Sequence, residues 1–291
     1  MVDKDTGFEK YLRNMPVMPD IASRILAMAD ERLEISFKEL EGIIKVDAGL
    51  SAKILKIANS AIYARQREIT SIQMAITLLG FKNIRSLVML VAASNFGKSA
   101  RKSAFYQSFW RHSIHSAFMS RHICMRVGLR DDAEIAFIGA LLHDIGQVAF
   151  YSTDEGRYLE ILQEVIYGSR ALDAIERDSF GIDHRELGAS VFRSWYFPDS
   201  LVDIAREHGS SNIVSSHKQL ILVVSVADMI ADILGLGIAP GNEEALDSYL
   251  RYSPVSVEDA KYYLTDYLTD VQSDPLLQQC QELFQIEKIV A

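Results

Sequence analysis

The sequence predicts an all-α protein: a multi-helical bundle with an N-terminal helical subdomain. Apolar residues recur at helical spacing in most segments, strand-type alternation is scarce, and 291 residues with 49% hydrophobic content, 24% charge and six prolines suit a folded chain with ample interior.

In chain order, "PDIASRILAMA" opens the helical pattern, and Ser36 with Glu39 forms a capping box ahead of "LEGIIKV". "LSAKILKIANSA" follows. In "TSIQMAITLLG", Thr70 and Gln73 read as a second capping box, Ile72, Ala75, Ile76 and Leu79 share one face, and Gly80 supplies the stop. The pattern continues through "NIRSLVMLVAA", "IHSAFMSRHICMRV" and "EIAFIGALLHD". Near the C-terminus, Ser256 and Asp259 cap "VEDAKYYLTDYL". The polar stretch "NFGKSARKS", residues 95 to 103, divides an N-terminal bundle from the part that holds all seven histidines. The expected organisation is an N-terminal subdomain over 1–100, a helical core over 101–235 and a helical extension over 236–291.

Composition narrows the function classes. The N-terminus "MVDKDTGFEKYLRNMP" is charged and lacks an apolar core region, so no secretory signal is read and a cytoplasmic location is expected. "QLILVVSVADMIADILGLGIA", residues 219 to 239, is long enough to span a bilayer, but Asp228 and Asp232 in its middle favour a buried core helix and no membrane role. Cys124 and Cys280 fit neither a disulfide framework nor a thiolate metal site, and Trp110 and Trp195 read as core anchors. The net charge of -9 is uneven: residues 48 to 130 hold 13 Lys or Arg against the single acid Glu68, and residues 131 to 291 hold 10 basic and 28 acidic residues. A basic nucleic-acid surface through Lys53, Lys56, Arg65, Arg67, Lys82 and Arg85 is one reading. Ordinary solvated helix faces are the other and the preferred one.

The chemistry concentrates in "GALLHDIGQVAF", where His143 and Asp144 interrupt an apolar run. Burying an imidazole and a carboxylate there is costly unless both find partners. His112 in "FWRHSIHSA", His184 in "GIDHRELGA", His208 in "AREHGSS" and Asp228 in "VSVADMIAD" each lie on or at the edge of a predicted helix, some 20 to 40 residues apart. That spacing suits one ligand from each of several packed helices, and the donor types are those of Fe, Mn, Ni or Zn sites holding one or two divalent ions. The alternative is an ion-free polar core in which His143 and Asp144 hydrogen-bond His112 and Asp228. His115 and His122 read as packing or surface residues.

"LLHDIG", with an upstream helical His112 and a downstream Asp228, resembles the HD superfamily of metal-dependent phosphohydrolases. The N-terminal half, with Pro16 and Pro19, Asp47 before Leu50, the "ANS" of Ala58 to Ser60 and "SIQMAITLLG", is similar to the HDOD family, the HD-related output domains of bacterial signalling proteins. Glu176, His184, Gly188, Trp195, Pro198 and His208 extend the likeness, which covers roughly residues 15 to 230. The resemblance implies an HD-superfamily-like bundle and a regulatory module that has lost catalysis and acts on signalling partners. Against that pattern, His112, His143, Asp144, His184, His208 and Asp228 form a set similar to the metal ligands of the related HD-GYP phosphodiesterases. The Lys that follows the pair in those enzymes is Gln147 here, His208 is followed by Gly209 rather than a second histidine, and the GYP signature is absent. The leading expectation is therefore a non-catalytic signalling module that acts through protein or ligand binding and whose HD pocket is vestigial or holds a retained metal. A metal-dependent phosphohydrolase of nucleotides or other small phosphorylated molecules, in which Asp144 would be central, is the alternative, and nucleic-acid binding is the third. Nothing in the sequence states the oligomeric state.

Overall fold

The computed structural model describes residues 9–14, 20–27, 37–59, 68–96, 100–168, 170–272 and 274–287. All regular structure among them is helical: α1 (Glu9–Asn14), α2 (Asp20–Ala27), α3 (Phe37–Lys45), α4 (Ala48–Ala58), α5 (Ile72–Ala93), α6 (Ala104–Arg126), α7 (Ala133–Leu142), α8 (Ile145–Thr153), α9 (Glu155–Tyr167), α10 (Leu172–Phe180), α11 (His184–Ser194), α12 (Asp199–Glu207), α13 (Lys218–Ile233), α14 (Glu243–Leu250), α15 (Val257–Thr265), α16 (Tyr267–Val271) and α17 (Pro275–Phe284). The chain packs as two compact units, one from Met1–Val17 with Lys102–Leu264, the other from Met18–Arg101 with Thr265–Ala291.

In the second of these, α5 packs against α2, α3 and α4. Asp47 begins α4 by accepting from the Leu50 amide at 2.9 Å. Asn59 is tied to Ile69, donating its amide to the Ile69 carbonyl at 2.8 Å and accepting from the Ile69 N–H at 2.7 Å. The cap of α5 falls one residue later than the spacing of Thr70 and Gln73 suggests. Ser71 has the extended backbone a cap needs and accepts from Met74 N, while the Thr70 hydroxyl lies 3.7 Å from the Met74 sulfur. Gly80 does break the helix, with φ 79°, yet the helix resumes and runs to Ala93 because residues 84 to 93 are buried and apolar enough to continue it. Arg85 is among those buried residues, and Lys56 meets Glu282 at 3.0 Å, so these two members of the proposed basic surface are engaged within this unit. Ser36, Pro16, Pro19, Ser60, Arg65 and Arg67 lie outside the described residues.

The first unit carries every histidine. α6 packs against α7 and α13, α12 packs against α7, α11 and α13, and α8 packs against α1, α9 and α11. Behind α8 an aromatic layer fills the core: Phe105 stacks on Tyr151 with centroids 4.3 Å apart and Phe150 on Phe180 at 4.4 Å, with the Tyr11 ring edge-on to Phe150. Such rings supply much of a small core's apolar burial. Trp110 and Trp195 are buried, as are Cys124 and Cys280. Ser256 caps α15, accepting from the Asp259 amide at 3.0 Å and donating to its carboxylate at 2.7 Å. The apolar run around Asp228 ends its helix at Ile233 and is largely buried. Among the described residues, two helical stretches are long and apolar enough to cross a membrane, Ile72–Ala93 and Arg130–Thr153, but 61% and 83% of their apolar windows lie inside the protein, as core helices do.

Candidate metal centre

Six helices or helix ends deliver seven side chains to a common cluster, two of them from α13. His112 projects from the middle of α6, His143 closes α7, and Asp144 opens α8. The Asp144 carboxylate makes no capping bond to its own helix, which leaves it for the pocket. α8 can approach the first turn of α11 because residue 146 is glycine; a Cβ there would overlap the His184 carbonyl. Asp183 caps α11 by accepting from Glu186 N at 2.9 Å, which fixes His184 at the first helical position. His208 ends α12, and the chain leaves through Gly209 at φ 65°. α13 supplies Asp228 and, one turn on and on the same face, Asp232.

The imidazoles converge through Nε2. His112 Nε2 lies 2.9 Å from Asp228 Oδ1 and 3.4 Å from His143 Nε2, and His143 Nε2 lies 3.3 Å from Asp228 Oδ1 and 3.4 Å from Asp144 Oδ2. The other Asp144 oxygen, Oδ1, faces His184 Nε2 at 3.4 Å and His208 Nε2 at 3.3 Å. Asp144 therefore bridges two half-sites: His112, His143 and Asp228 on one side, His184 and His208 on the other.

A hydrogen-bond partner holds the far nitrogen of three of the four rings, and an acid faces that of His112. His143 Nδ1 donates to the Ala140 carbonyl at 2.7 Å and His208 Nδ1 to the Ile204 carbonyl at 3.0 Å. A carbonyl only accepts, so these two rings carry their proton on Nδ1 and turn an Nε2 lone pair inward when neutral. Glu176 Oε2 takes His184 Nδ1 at 2.5 Å and the His184 amide at 2.8 Å, and its other oxygen accepts from the Tyr158 hydroxyl at 2.8 Å. Asp232 Oδ1 lies 3.2 Å from His112 Nδ1.

Carboxylates dominate the electrostatics. Burial opposes the charged form of every imidazole, but Asp232 and Asp228 outweigh it at His112 and hold its pKa well above the ordinary value. At His184 burial is likewise outweighed, by Glu176 and Asp144, and the pKa is pushed up to about 9. His143 is raised against burial by Asp144 and Asp228, whereas at His208 burial prevails and the pKa falls. Against its own burial, His143 and the neighbouring imidazoles hold the Asp144 carboxyl far below the usual carboxylate range, and His143 and His112 do the same for Asp228. The cluster thus attracts positive charge, whether protons on its rings or a cation between them.

The residues fit a metal. Bonds of about 2.1 Å space ligand atoms roughly 3.0–3.4 Å apart, which matches the separations around Asp144 and Asp228. Two groups, His112 with His143 and Asp228, and His143 with Asp144 and His208, bring ligand atoms within 4.8 Å of one another. Rings oriented by carbonyls and carboxylates are the usual surroundings of metal-ligating histidines. All six residues singled out in the sequence reach the pocket. Of the others, His115 is buried beside the site with its pKa lowered to about 4 by burial, Arg111 and His112, and exposed His122 meets the Tyr263 hydroxyl at 3.1 Å. Sequence reasoning missed the site roles of Asp232, Glu176 and Gly237, whose Cβ would crowd Asp232 and His112. The signal for Asp232 was present, four residues after Asp228; Gly237 carried none.

A helical bundle that gathers a His-Asp pair and further imidazoles and carboxylates into one pocket has the architecture of the HD superfamily. The chain belongs to the HDOD domain family, whose profile matches residues 15–211. An uncharacterized protein of Treponema pallidum (strain Nichols) is 25% identical over 220 residues, 73% of this chain, and the chain spans 42% of that relative's length. Among solved structures, an HDOD domain protein of unknown function from Geobacter sulfurreducens superposes with TM-score 0.74 at 21% identity, covering 97% of this chain and 98% of that one. A Shewanella amazonensis SB2B protein provisionally named a phosphohydrolase gives TM-score 0.74 at 20% identity, with 96% and 98% covered. A Marinobacter aquaeolei VT8 protein provisionally named a signal transduction protein gives 0.78 at 18% identity, with 94% of this chain and 60% of that one covered. These likenesses establish the fold.

Proposed function

We propose that the chain is a signalling module whose HD pocket holds one or two divalent ions of the Fe, Mn, Ni or Zn type, and that it acts by binding a protein partner rather than by turnover. The observation that carries the metal reading is the set of four imidazoles with Nε2 turned toward Asp144 or Asp228, three of them held by a hydrogen bond at Nδ1 and the fourth, His112, set with Nδ1 3.2 Å from Asp232. His112, His143 and Asp228 would hold one ion, His184 and His208 the other, with Asp144 between them. Bound there, such an ion supplies Lewis acidity and charge neutralisation.

Two features support a binding role over hydrolysis. Gln147, in the position after the His-Asp pair where a cation would meet a phosphate, spends its amide on Asp144 Oδ2 at 2.6 Å. The cation on the pocket wall, Arg185, is held by Asp173 at 2.6 Å and Asp183 at 3.1 Å. Phosphoryl transfer needs preorganised positive charge around the transferring oxygens. A second reading, a metal-dependent phosphohydrolase of small phosphorylated molecules, is favoured by a cavity of about 230 Å³ that reaches Asp144 and Asp228.

Elemental analysis of protein purified without chelator, beside Asp144→Asn, tests the metal reading. Near-stoichiometric metal in the wild type and its loss in the variant is the expected result; equal metal content in both sinks it. Turnover of p-nitrophenyl phosphate with added Mn²⁺ or Fe²⁺ is expected to stay at background, and turnover that vanishes in Asp144→Asn would move the assignment to the hydrolase.

A further inference from the structure

The HD pocket has a second face that the metal ligands do not explain. Beside them, Phe109, Leu162, Val165, Leu172, Ile238 and Ala239 line the same cavity. Phe109, Leu162 and Val165 are buried and Leu172, Ile238 and Ala239 partly so, and a cavity lined by both apolar and charged side chains suits a ligand with an apolar body and a polar head. The cavity, about 230 Å³, lies below the roughly 300–1,000 Å³ of ordinary small-molecule sites, so the body is short.

Charge limits the head. Asp144, Asp228, Asp232 and Glu176 bring four carboxylates to the centre, which is the charge of two divalent ions, so a loaded pocket keeps little surplus for a polyanion. The guanidinium on the wall adds none. Arg185 donates through Nη2 to Asp173, through Nη2 and Nε to Asp183 at 3.1 and 3.3 Å, and through Nη1 to the His208 carbonyl at 3.4 Å.

We infer that the pocket is built for a small monoanion with a short apolar tail, of the short-chain carboxylate class, and not for a nucleotide or polyphosphate. The carboxylate reaches the metal face and the tail lies along Leu162, Val165 and Leu172. This rests on the metal reading above.

Calorimetric titration of the metal-loaded full chain with acetate, butyrate, inorganic phosphate and AMP tests it, with metal content measured on the same samples. Butyrate is expected to bind roughly tenfold tighter than acetate, because two more methylenes are buried, and tighter than phosphate or AMP. Val165→Thr and Leu172→Gln are expected to retain metal and erase most of the butyrate advantage; Leu172 is only partly buried, so at least that variant should fold. Asp173→Asn, which releases one acid from Arg185, is expected to strengthen phosphate binding severalfold. Metal-loaded protein that binds phosphate or AMP more tightly than butyrate, that does not distinguish acetate from butyrate, or whose wall variants keep the butyrate preference overturns the ligand assignment and leaves the metal reading standing. A chain that takes up no metal overturns both.

Discussion

Glu176 is buried in the middle of α10, where it accepts three hydrogen bonds, two of them from His184, and sets the direction of that ring. Partners of this kind change metal affinity by about 10–100-fold when removed. Glu176→Ala is therefore expected to weaken metal binding within that range and Glu176→Gln less, as read by competition with a chromophoric chelator; equal affinity in both variants and the wild type would exclude the role. The raised rings also fix a pH dependence. His184 is held at about 9 against an ordinary imidazole near 6.5, so at neutral pH the metal-free ring keeps a proton that a metal must displace. Metal affinity is expected to rise from pH 6.5 to 9 and then level off, with proton release measurable in buffers of different ionisation enthalpy. In the metal-free protein the same shift stabilises the fold fully below pH 6.5, and this contribution is lost as pH rises through 9. Flat affinity and no proton release across that range would contradict the arrangement.

At the scale of elements, the site depends on how closely α8 meets α11. Gly146 permits the contact with a backbone carbonyl that cannot move out of the way alone. Gly139 is also crowded, but by the Ile204 side chain, which can rotate. Gly146→Ala is expected to cost about 1–3 kcal/mol, the range for overpacking a tight interface, and to lower metal content; Gly139→Ala should cost less and leave metal intact. Urea denaturation with elemental analysis checks both, and equal losses would show that the α8 and α11 contact is not special. The loop after α12 is pinned comparably: Glu207 Oε2 accepts from Val214 N at 2.8 Å and Ser215 N at 3.2 Å, which holds the segment leaving His208.

For the molecule as a whole, a centre drawn from α6, α7, α8, α11, α12 and α13 would make the proposed metal binding a folding term for the unit that contains them. An ion that binds only the folded chain stabilises it by about 2.7 kcal/mol at a hundredfold excess over its dissociation constant. Thermal unfolding with Mn²⁺ or Zn²⁺ against chelator is expected to show a raised midpoint in wild type and none in Asp144→Asn. An equal rise in the variant would assign the effect to other sites. The acidic balance of residues 131 to 291 belongs to the same scale: several of its acids are turned inward to the centre, and Asp173, Asp183, Asp203 and Asp259 pair with arginines.

Helical period, the Ser256 cap and the His-Asp pair were legible in the sequence because each is a local property: a 3.6-residue repeat and a Ser three residues before Asp259 need no tertiary information, whereas the cap of α5, expected at Thr70, is Ser71 because the backbone there decides which hydroxyl meets the helix. The six residues of the pocket were legible by chemical type, since buried imidazoles and carboxylates must find partners wherever they lie. Their division into two half-sites by Asp144 was not, nor were the roles of Glu176 and Asp232, because which nitrogen of a ring faces inward depends on what lies behind it. The apolar wall was hidden for a related reason: Leu162, Val165 and Ile238 read as ordinary core positions, and only packing decides which core residues border a cavity. The sequence by itself determined an all-helical chain with metal-type ligands; the tertiary structure decided that those ligands converge around one bridging carboxylate, because convergence is set by contacts between residues tens of positions apart.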